Sequence, residues 1–391
     1  LKSLKKGRAI SLARYKIPLS NIDIGPSEIR AVVKVLRSQW LSLGDVTGQF
    51  ERDFSRTMRV KESIAVVNGT AALHLANLAL GVGPGDEVIL PSLTFVATAN
   101  AVLYCGATPV FADIKSADDL NISPEEIEKK ITPRTKAICV VHYGGYPADM
   151  DQIMEIAARH RLFVIEDAAH AIGAELNGKK IGTIGDVGCY SFFSNKNLVT
   201  GEGGMVVTRD SDLASKIRLL RSHGMTSLSW DRYRGHAASY DVTQLGFNYR
   251  ITEIASSIGR VGLKKLKGNN LKRAKLTQIY RSALKNVDEL SVPFSVHRGN
   301  PSFHIFPVLL KSRIQRERIK AGLQEKGIQT SLHYPPVHLF SHYRKAMDGI
   351  PVRLSLTEDI SQRELTLPLY PKMSAKQVLF VCNQIRSMVK G

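Results

Sequence analysis

The sequence predicts an α/β fold: a mostly parallel, seven-stranded sheet between helices in a large domain, followed by a smaller α+β C-terminal domain. Three observations predict it. Between Ser63 and Thr208, short β-branched or apolar runs alternate with segments of helical periodicity. Those runs are largely apolar throughout, the pattern of strands covered on both faces. Beyond Thr252 the texture changes to one long amphipathic stretch, with Leu263, Leu266, Leu271, Ile279 and Leu284 on a helical period and lysines between them. A chain of 391 residues can bury one large core and a smaller second one. The expected domains are residues 15–260 and 261–391.

Taken in order, residues 64–67 read as a buried strand and 70–80 as an Ala- and Leu-rich helix stopped by Gly81. The turn Gly83-Pro84-Gly85-Asp86 introduces a second strand at 87–90. Residues 95–104 read as helix and 108–112 as extended. Strands at 137–141 and 163–166 flank a helix over 149–160, and strands at 187–192 and 204–208 complete the seven. In the C-terminal unit, which begins near Pro293, a strand over 303–310 precedes a basic helix and the segment His333-Tyr334-Pro335-Pro336.

Composition excludes several classes. Hydrophobic residues make up 43% and charged residues 23%, which argues against disorder. The net charge of +19 favours anionic partners: nucleic acid, acidic membranes or phosphorylated metabolites. Basic clusters at 2–8, 264–275 and 311–320 are not interleaved with aromatic residues as a single-strand-binding surface requires. Cys105, Cys139, Cys189 and Cys382 form no CxxC pair, so neither a zinc ribbon nor a disulfide framework is indicated, and a reducing cytoplasm is the expected compartment. The basic N-terminal stretch has no apolar core of a signal peptide. The most hydrophobic stretch, residues 64–82, is broken by Asn68, Thr70, His74 and Asn77, so no membrane span is expected.

Three segments carry chemistry. In Asn68-Gly69-Thr70-Ala71-Ala72 a strand runs through a small-residue turn into a helix, which exposes backbone N–H groups to an anion such as a phosphate. It is neither a Walker A loop nor a dinucleotide fingerprint, and many such turns bind nothing. Val164-Ile165-Glu166-Asp167-Ala168-Ala169-His170 ends a buried strand with carboxylates at the edge where open α/β sheets bind ligands. Asp167 either pairs with a heterocyclic nitrogen or caps the following Ala-rich run. In Ser191-Phe192-Phe193-Ser194-Asn195-Lys196, a lysine follows an aromatic strand and precedes the turn Gly201-Glu202-Gly203-Gly204. A partly desolvated lysine there can lose its proton and attack an aldehyde; a solvated loop lysine is the plain alternative. Together the three supply a phosphate cradle, an acid for a pyridine nitrogen and an amine for an aldehyde, the needs of pyridoxal 5'-phosphate.

The chain also resembles the DegT/DnrJ/EryC1/StrS family of sugar aminotransferases, whose architecture is that of aspartate aminotransferase. The resemblance runs from Asn21 to about Gln384. It rests on Trp40-Leu41-Ser42-Leu43-Gly44, Asn68 to Leu73, Pro91-Ser92-Leu93-Thr94-Phe95, Glu166 to His170, Ser191 to Lys196, Gly201-Glu202-Gly203-Gly204, Gly246-Phe247-Asn248-Tyr249-Arg250 and Leu367-Pro368-Leu369-Tyr370-Pro371. It implies a pyridoxal-phosphate-binding large domain, with Lys196 bonded to the cofactor aldehyde and shuttling the proton. It also implies Asp167 on the pyridinium nitrogen, Phe95 on the ring face, and Gly69, Thr70, Ala71 and Ser191 around the phosphate. His170, where Gln is the commoner family residue, is implied at the phenolic oxygen. Asn248 is implied to reach the phosphate from a neighbouring subunit of a homodimer. Trp40, Tyr143, His223, Arg250, His333 and Tyr334 fall in segments that line the sugar site of similar proteins, although each also suits a structural role.

The implied reaction passes the amino group of glutamate, through pyridoxamine 5'-phosphate, to a nucleotide-linked keto-sugar, giving an amino sugar. A pyridoxamine-dependent sugar dehydratase on the same scaffold is the nearest alternative; relatives of that kind replace the lysine with histidine, and this chain has Lys196. A basic regulatory nucleic-acid-binding protein is remote, because no helix-turn-helix or zinc pattern accompanies the charge.

Overall fold

The computed structural model describes residues 15–227, 230, 233–235, 238–346 and 352–389; the basic cluster at 2–8 lies outside them. Helices α1 (Pro26–Ser38) and α2 (Asp45–Met58) precede the sheet. Its strands are β1 (Glu62–Val66), β2 (Glu87–Pro91), β3 (Thr108–Ala112), β4 (Thr135–Val141), β5 (Phe163–Asp167), β8 (Val187–Ser191) and β9 (Gly204–Thr208). A small hairpin, β6 (Glu175–Leu176) and β7 (Lys179–Lys180), interrupts the series. Helices α3 (Gly69–Ala79), α4 (Ala97–Tyr104), α5 (Pro124–Lys129), α6 (Met150–His160) and α7 (Ser211–Arg221) follow β1, β2, β3, β4 and β9.

The spatial order is β1-β9-β8-β5-β4-β2-β3. Neighbours from β8 to β3 run parallel, and β9 is antiparallel to both β8 and β1. Successive side chains of a strand face opposite sides, and here both sides are covered. Ile138 and Val140 of β4 enter the core beneath α2 and α6, while Ala137 and Cys139 enter the core beneath α3, α4 and α7. That double burial is why the strands read as continuous apolar runs.

The long helix α8 (Glu253–Leu284) leaves this layer. Its first residue reaches back: the Glu253 carboxylate accepts from the backbone N–H groups of Gly44, Val46 and Thr47 at 2.8–3.0 Å. The N-cap of α2 is Gly44, which has no capping side chain, so a remote glutamate satisfies the unpaired first-turn donors. The far half of α8 enters the smaller C-terminal domain. There β10 (Leu290–Ser291), β11 (Phe306–Leu310) and β12 (Glu364–Leu367) form an antiparallel sheet. Helices α9 (Arg313–Glu325), α10 (Ser341–Ala346), α11 (Ser355–Arg363) and α12 (Ala375–Val389) complete the chain. Leu276, Tyr280 and Leu284 of α8 join Phe306, Ile319, Leu365 and Val381 in a separate core.

The strand expected over 303–310 begins only at Phe306. Phe303 has a φ of 51°, outside the extended region. The N–H groups of Ser302 and His304 bond instead to the carbonyls of Gly145 and Gly144, at 3.0 and 2.9 Å. All four cysteines are buried and unpaired. Among the described residues no helix is long and apolar enough to cross a membrane.

Candidate active site

The C-terminal ends of the parallel strands surround a cavity of about 370 Å³. Gly69, Thr70, Phe95, Asp167, His170, Ser191, Lys196, His333 and Tyr334 all line it. Its floor begins where β1 hands over to α3. Asn68 is extended at the helix N-cap, and its Oδ1 accepts from Ala71 N–H at 2.8 Å. Ala71 is thereby satisfied, which leaves the first-turn N–H groups of Gly69 and Thr70 without an intrahelical partner. Gly69 is required for proximity: a Cβ there would lie 2.8 Å from Ser191 Cβ. The helix N-terminus and the Ser191 hydroxyl at the end of β8 therefore converge on one point.

On β5 the adjacent carboxylates part company, as alternation along a strand dictates. Glu166 turns into the core and accepts from the N–H groups of Gly182, Ile184 and Gly185 at 2.6–2.7 Å, so it anchors a loop. Asp167 turns to the cavity. Its Oδ2 accepts from Thr98 Oγ1 at 2.8 Å and its Oδ1 from Ala169 N–H at 3.2 Å. A hydrogen bond to a charged group contributes about 1.5–3 kcal/mol, which offsets part of the cost of a buried carboxylate. Burial still raises the Asp167 pKa above its usual value, against the lowering from Thr98, Ala169 and Lys196.

Lys196 follows β8 in a turn closed by its N–H onto the Phe193 carbonyl at 2.9 Å. Burial lowers its pKa from 10.5 to about 8, and Asp167 opposes the fall. Beside it, Asn195 presents a buried amide oxygen with no hydrogen-bond partner. The Phe95 ring, 56% exposed, stands at the mouth, with its centroid 6.1 Å from that of Tyr334.

The opposite wall comes from the C-terminal domain. His333 N–H donates to Glu364 Oε2 at 2.9 Å, and its Nδ1 lies 2.9 Å from Thr366 Oγ1, which donates to Glu364 Oε1. Burial pushes Glu364 up to about 8 and His333 down to about 4. Tyr334 Oη lies 3.0 Å from His170 Nε2.

Other sequence-selected residues lie apart from the cavity lining. Tyr143 is fully buried behind it and donates its hydroxyl to the His333 carbonyl. Trp40 packs on Trp230 and Tyr233, with centroids at 4.6 and 4.9 Å. His223, with φ 62°, donates its N–H to Phe247. Arg250 bridges Val66, and its pKa is lowered by burial and by Arg221. Asn248 bridges Ser222 and is exposed. Three residues that sequence reasoning passed over are part of the arrangement: Thr98, Asn195 and His304. Thr98 sits three residues after Phe95, on the same turn of chain. His304 lay inside a stretch read as strand. Its Nδ1 lies 3.0 Å from Asn197 Oδ1, beside Lys196.

The residues fit pyridoxal phosphate. Two free first-turn N–H groups and a hydroxyl suit a phosphate. An amine with a depressed pKa suits an aldehyde, and a buried carboxylate across the cavity suits a protonated ring nitrogen.

Comparison with known proteins agrees. Residues 22–386 match the DegT/DnrJ/EryC1/StrS aminotransferase family. The spore coat polysaccharide biosynthesis protein SpsC of Bacillus subtilis is 41% identical over 382 residues, covering 96% of this chain and 97% of that protein. The aminotransferase TlmJ from Streptoalloteichus hindustanus superposes with a TM-score of 0.89 at 36% identity, over 96% of this chain and 99% of its own. The putative sugar aminotransferase Spr1654 from Streptococcus pneumoniae, solved in a PLP-form, gives 0.88 at 28% identity, over 96% and 99%.

Proposed function

The chain belongs to the DegT/DnrJ/EryC1/StrS aminotransferase family, and from that premise we propose that it aminates a keto-sugar carried on a nucleotide, using pyridoxal phosphate and glutamate. One observation carries the reading: Lys196, Asp167 and the free N–H groups of Gly69 and Thr70 line a single cavity. Bound there, the cofactor supplies an electron sink for negative charge on the reacting carbon. Lys196 is the amine that holds the aldehyde, and its Nζ takes and returns the proton at the substrate carbon. With a pKa of about 8 it is suited to both directions of that transfer near neutral pH. Asp167 keeps a ring nitrogen protonated, while Thr98 fixes the carboxylate. Phe95, at the mouth of the cavity, would cover one face of the ring.

The net charge of +19 suits a diphosphate-bearing substrate, and the likeness to SpsC suits an amino sugar bound for a polysaccharide. A homodimer fits as well. Val242 and Leu245 are 53% and 85% exposed beside Asn248, a face able to bring Asn248 to a second copy's phosphate site.

The test is Lys196→Ala. It is expected to abolish both the visible absorption band of the cofactor-loaded enzyme and steady-state turnover, and retention of both rejects the reading. A panel of nucleotide-linked keto-sugars, incubated with glutamate and followed by mass spectrometry, then identifies the acceptor.

A further inference from the structure

We propose that Tyr334 is a fixed hydroxyl donor to the carbonyl oxygen exchanged during amino transfer, and that His170 is the positioning residue that sets its direction. The inference rests on the functional reading above and adds to it a residue pair with a defined proton arrangement.

The two ring nitrogens of His170 have different partners. Gly144 N–H lies 3.3 Å from Nδ1. A backbone N–H can only donate, so Nδ1 is the bare, accepting nitrogen. A neutral imidazole then carries its proton on Nε2. Nε2 is 3.0 Å from Tyr334 Oη, so it donates to the phenol oxygen. The phenol proton cannot point back along that bond, and it turns toward the cavity that Tyr334 lines together with Lys196 and Asp167. An imidazolium would need a second proton on Nδ1, facing the Gly144 N–H. Burial, with Lys196 and His333 nearby, also disfavours it.

The surroundings hold this arrangement. Gly145 has a φ of 87°, and a Cβ on it would lie 2.7 Å from the His170 carbonyl, so the glycine turn presses directly against His170. Ser302 Oγ donates to that same carbonyl at 2.7 Å. The His304 ring packs on the imidazole at 4.4 Å, and the Tyr334 ring lies 27° from parallel to it at 6.0 Å. With both nitrogens engaged, His170 acts on the cavity through Tyr334.

Amino transfer exchanges oxygen in each half. When the acceptor ketone gains nitrogen, its C=O bond is lost and the oxygen leaves as water. When the donor leaves as a keto acid, the oxygen of water becomes its carbonyl as the C–N bond breaks. Both need a proton moved at that oxygen. To leave as water the oxygen takes two protons, both from the incoming amine nitrogen. Tyr334 gives one as the nitrogen adds and one as water departs, regaining one from the nitrogen each time, so the residue ends as it began and nothing is oxidised or reduced. In the reverse sense it serves the other half.

Tyr334→Phe is therefore expected to keep the visible absorption band, while kcat falls on the order of 100-fold and both KM values stay within about threefold. His170→Leu should reproduce that fall. His170→Gln, which restores an N–H donor, should recover to within about tenfold of wild type. The double variant Tyr334→Phe, His170→Leu should be no slower than Tyr334→Phe alone, because the two act as one unit. A readout independent of turnover is the ¹⁵N NMR spectrum of the cofactor-free protein. At pH 7 the His170 signals should report a protonated Nε2 and a bare Nδ1, with Nε2 shifting in Tyr334→Phe. A proton on Nδ1, or wild-type kcat in Tyr334→Phe, overturns the proposal. If wild type itself forms no absorption band, the functional reading fails, and the NMR spectrum alone still decides the His170–Tyr334 bond.

Discussion

Burial costs Lys196 its proton at an unusually low pH, and the effect has a measurable sign. With the pKa at about 8 instead of 10.5, the free-amine fraction at pH 7 is roughly 300-fold larger than for an ordinary lysine. The rate at which cofactor-free protein takes up pyridoxal phosphate should rise about tenfold per pH unit below pH 8 and level off above it, as followed by stopped-flow absorbance. An unperturbed amine would keep rising toward pH 10. Asp167 raises the Lys196 pKa, so Asp167→Asn should move the plateau to lower pH. Lys196 and Asp167 were legible in the sequence because each sits at a strand end where a solvated side chain is out of place. Thr98 was not, since a threonine in a helix gives no sign of the carboxylate it meets 69 positions later in the chain. His170 was legible as a site residue but not its partner: the bond to Tyr334 spans 164 positions and two domains.

At the level of elements, the junction of β1, α3 and β8 is the part with least room to move. Gly69→Ala would place a methyl group 2.8 Å from Ser191 Cβ, too close for two carbons in contact. Either the helix N-terminus or the end of β8 must withdraw, which separates the N–H groups from the hydroxyl. The expected outcome is a cofactor Kd raised at least about tenfold, the equivalent of 1.4 kcal/mol, with the far-ultraviolet circular dichroism unchanged. Absorbance titration measures it, and an unchanged Kd would show that the convergence on Ser191 is not needed for binding. The seven strands could be read in advance because double burial leaves an apolar run whatever the pairing. Helices α1 and α2 are not legible in the sequence, having mostly polar faces outward and, in α2, a cap supplied by Glu253, more than 200 residues away. The reversed direction of β9 was equally invisible, because strand polarity is not written in residue type.

For the molecule as a whole, the exposed side chains of Val242 and Leu245 near Asn248 make the proposed second copy testable. Leu245→Arg, at a side chain 85% exposed in the single chain, should leave the fold intact but shift sedimentation from dimer to monomer and reduce turnover with it. A monomer in wild type, at full activity, would remove the need for a shared site. The sheet order has a further consequence, for synthesis. Strand β1 occupies one edge of the sheet, and among the described residues its strand neighbour is β9, so the ladder from Glu62 to Val66 is complete only after residue 208 has emerged. Such distant pairing is slow, and an apolar ribbon waits unprotected on the nascent chain while more than 140 residues, from 66 to 208, are added. Burst-labelling of ribosome-bound intermediates should find this edge to be the last part of the sheet to gain protection, and chaperone dependence should track the length of that wait.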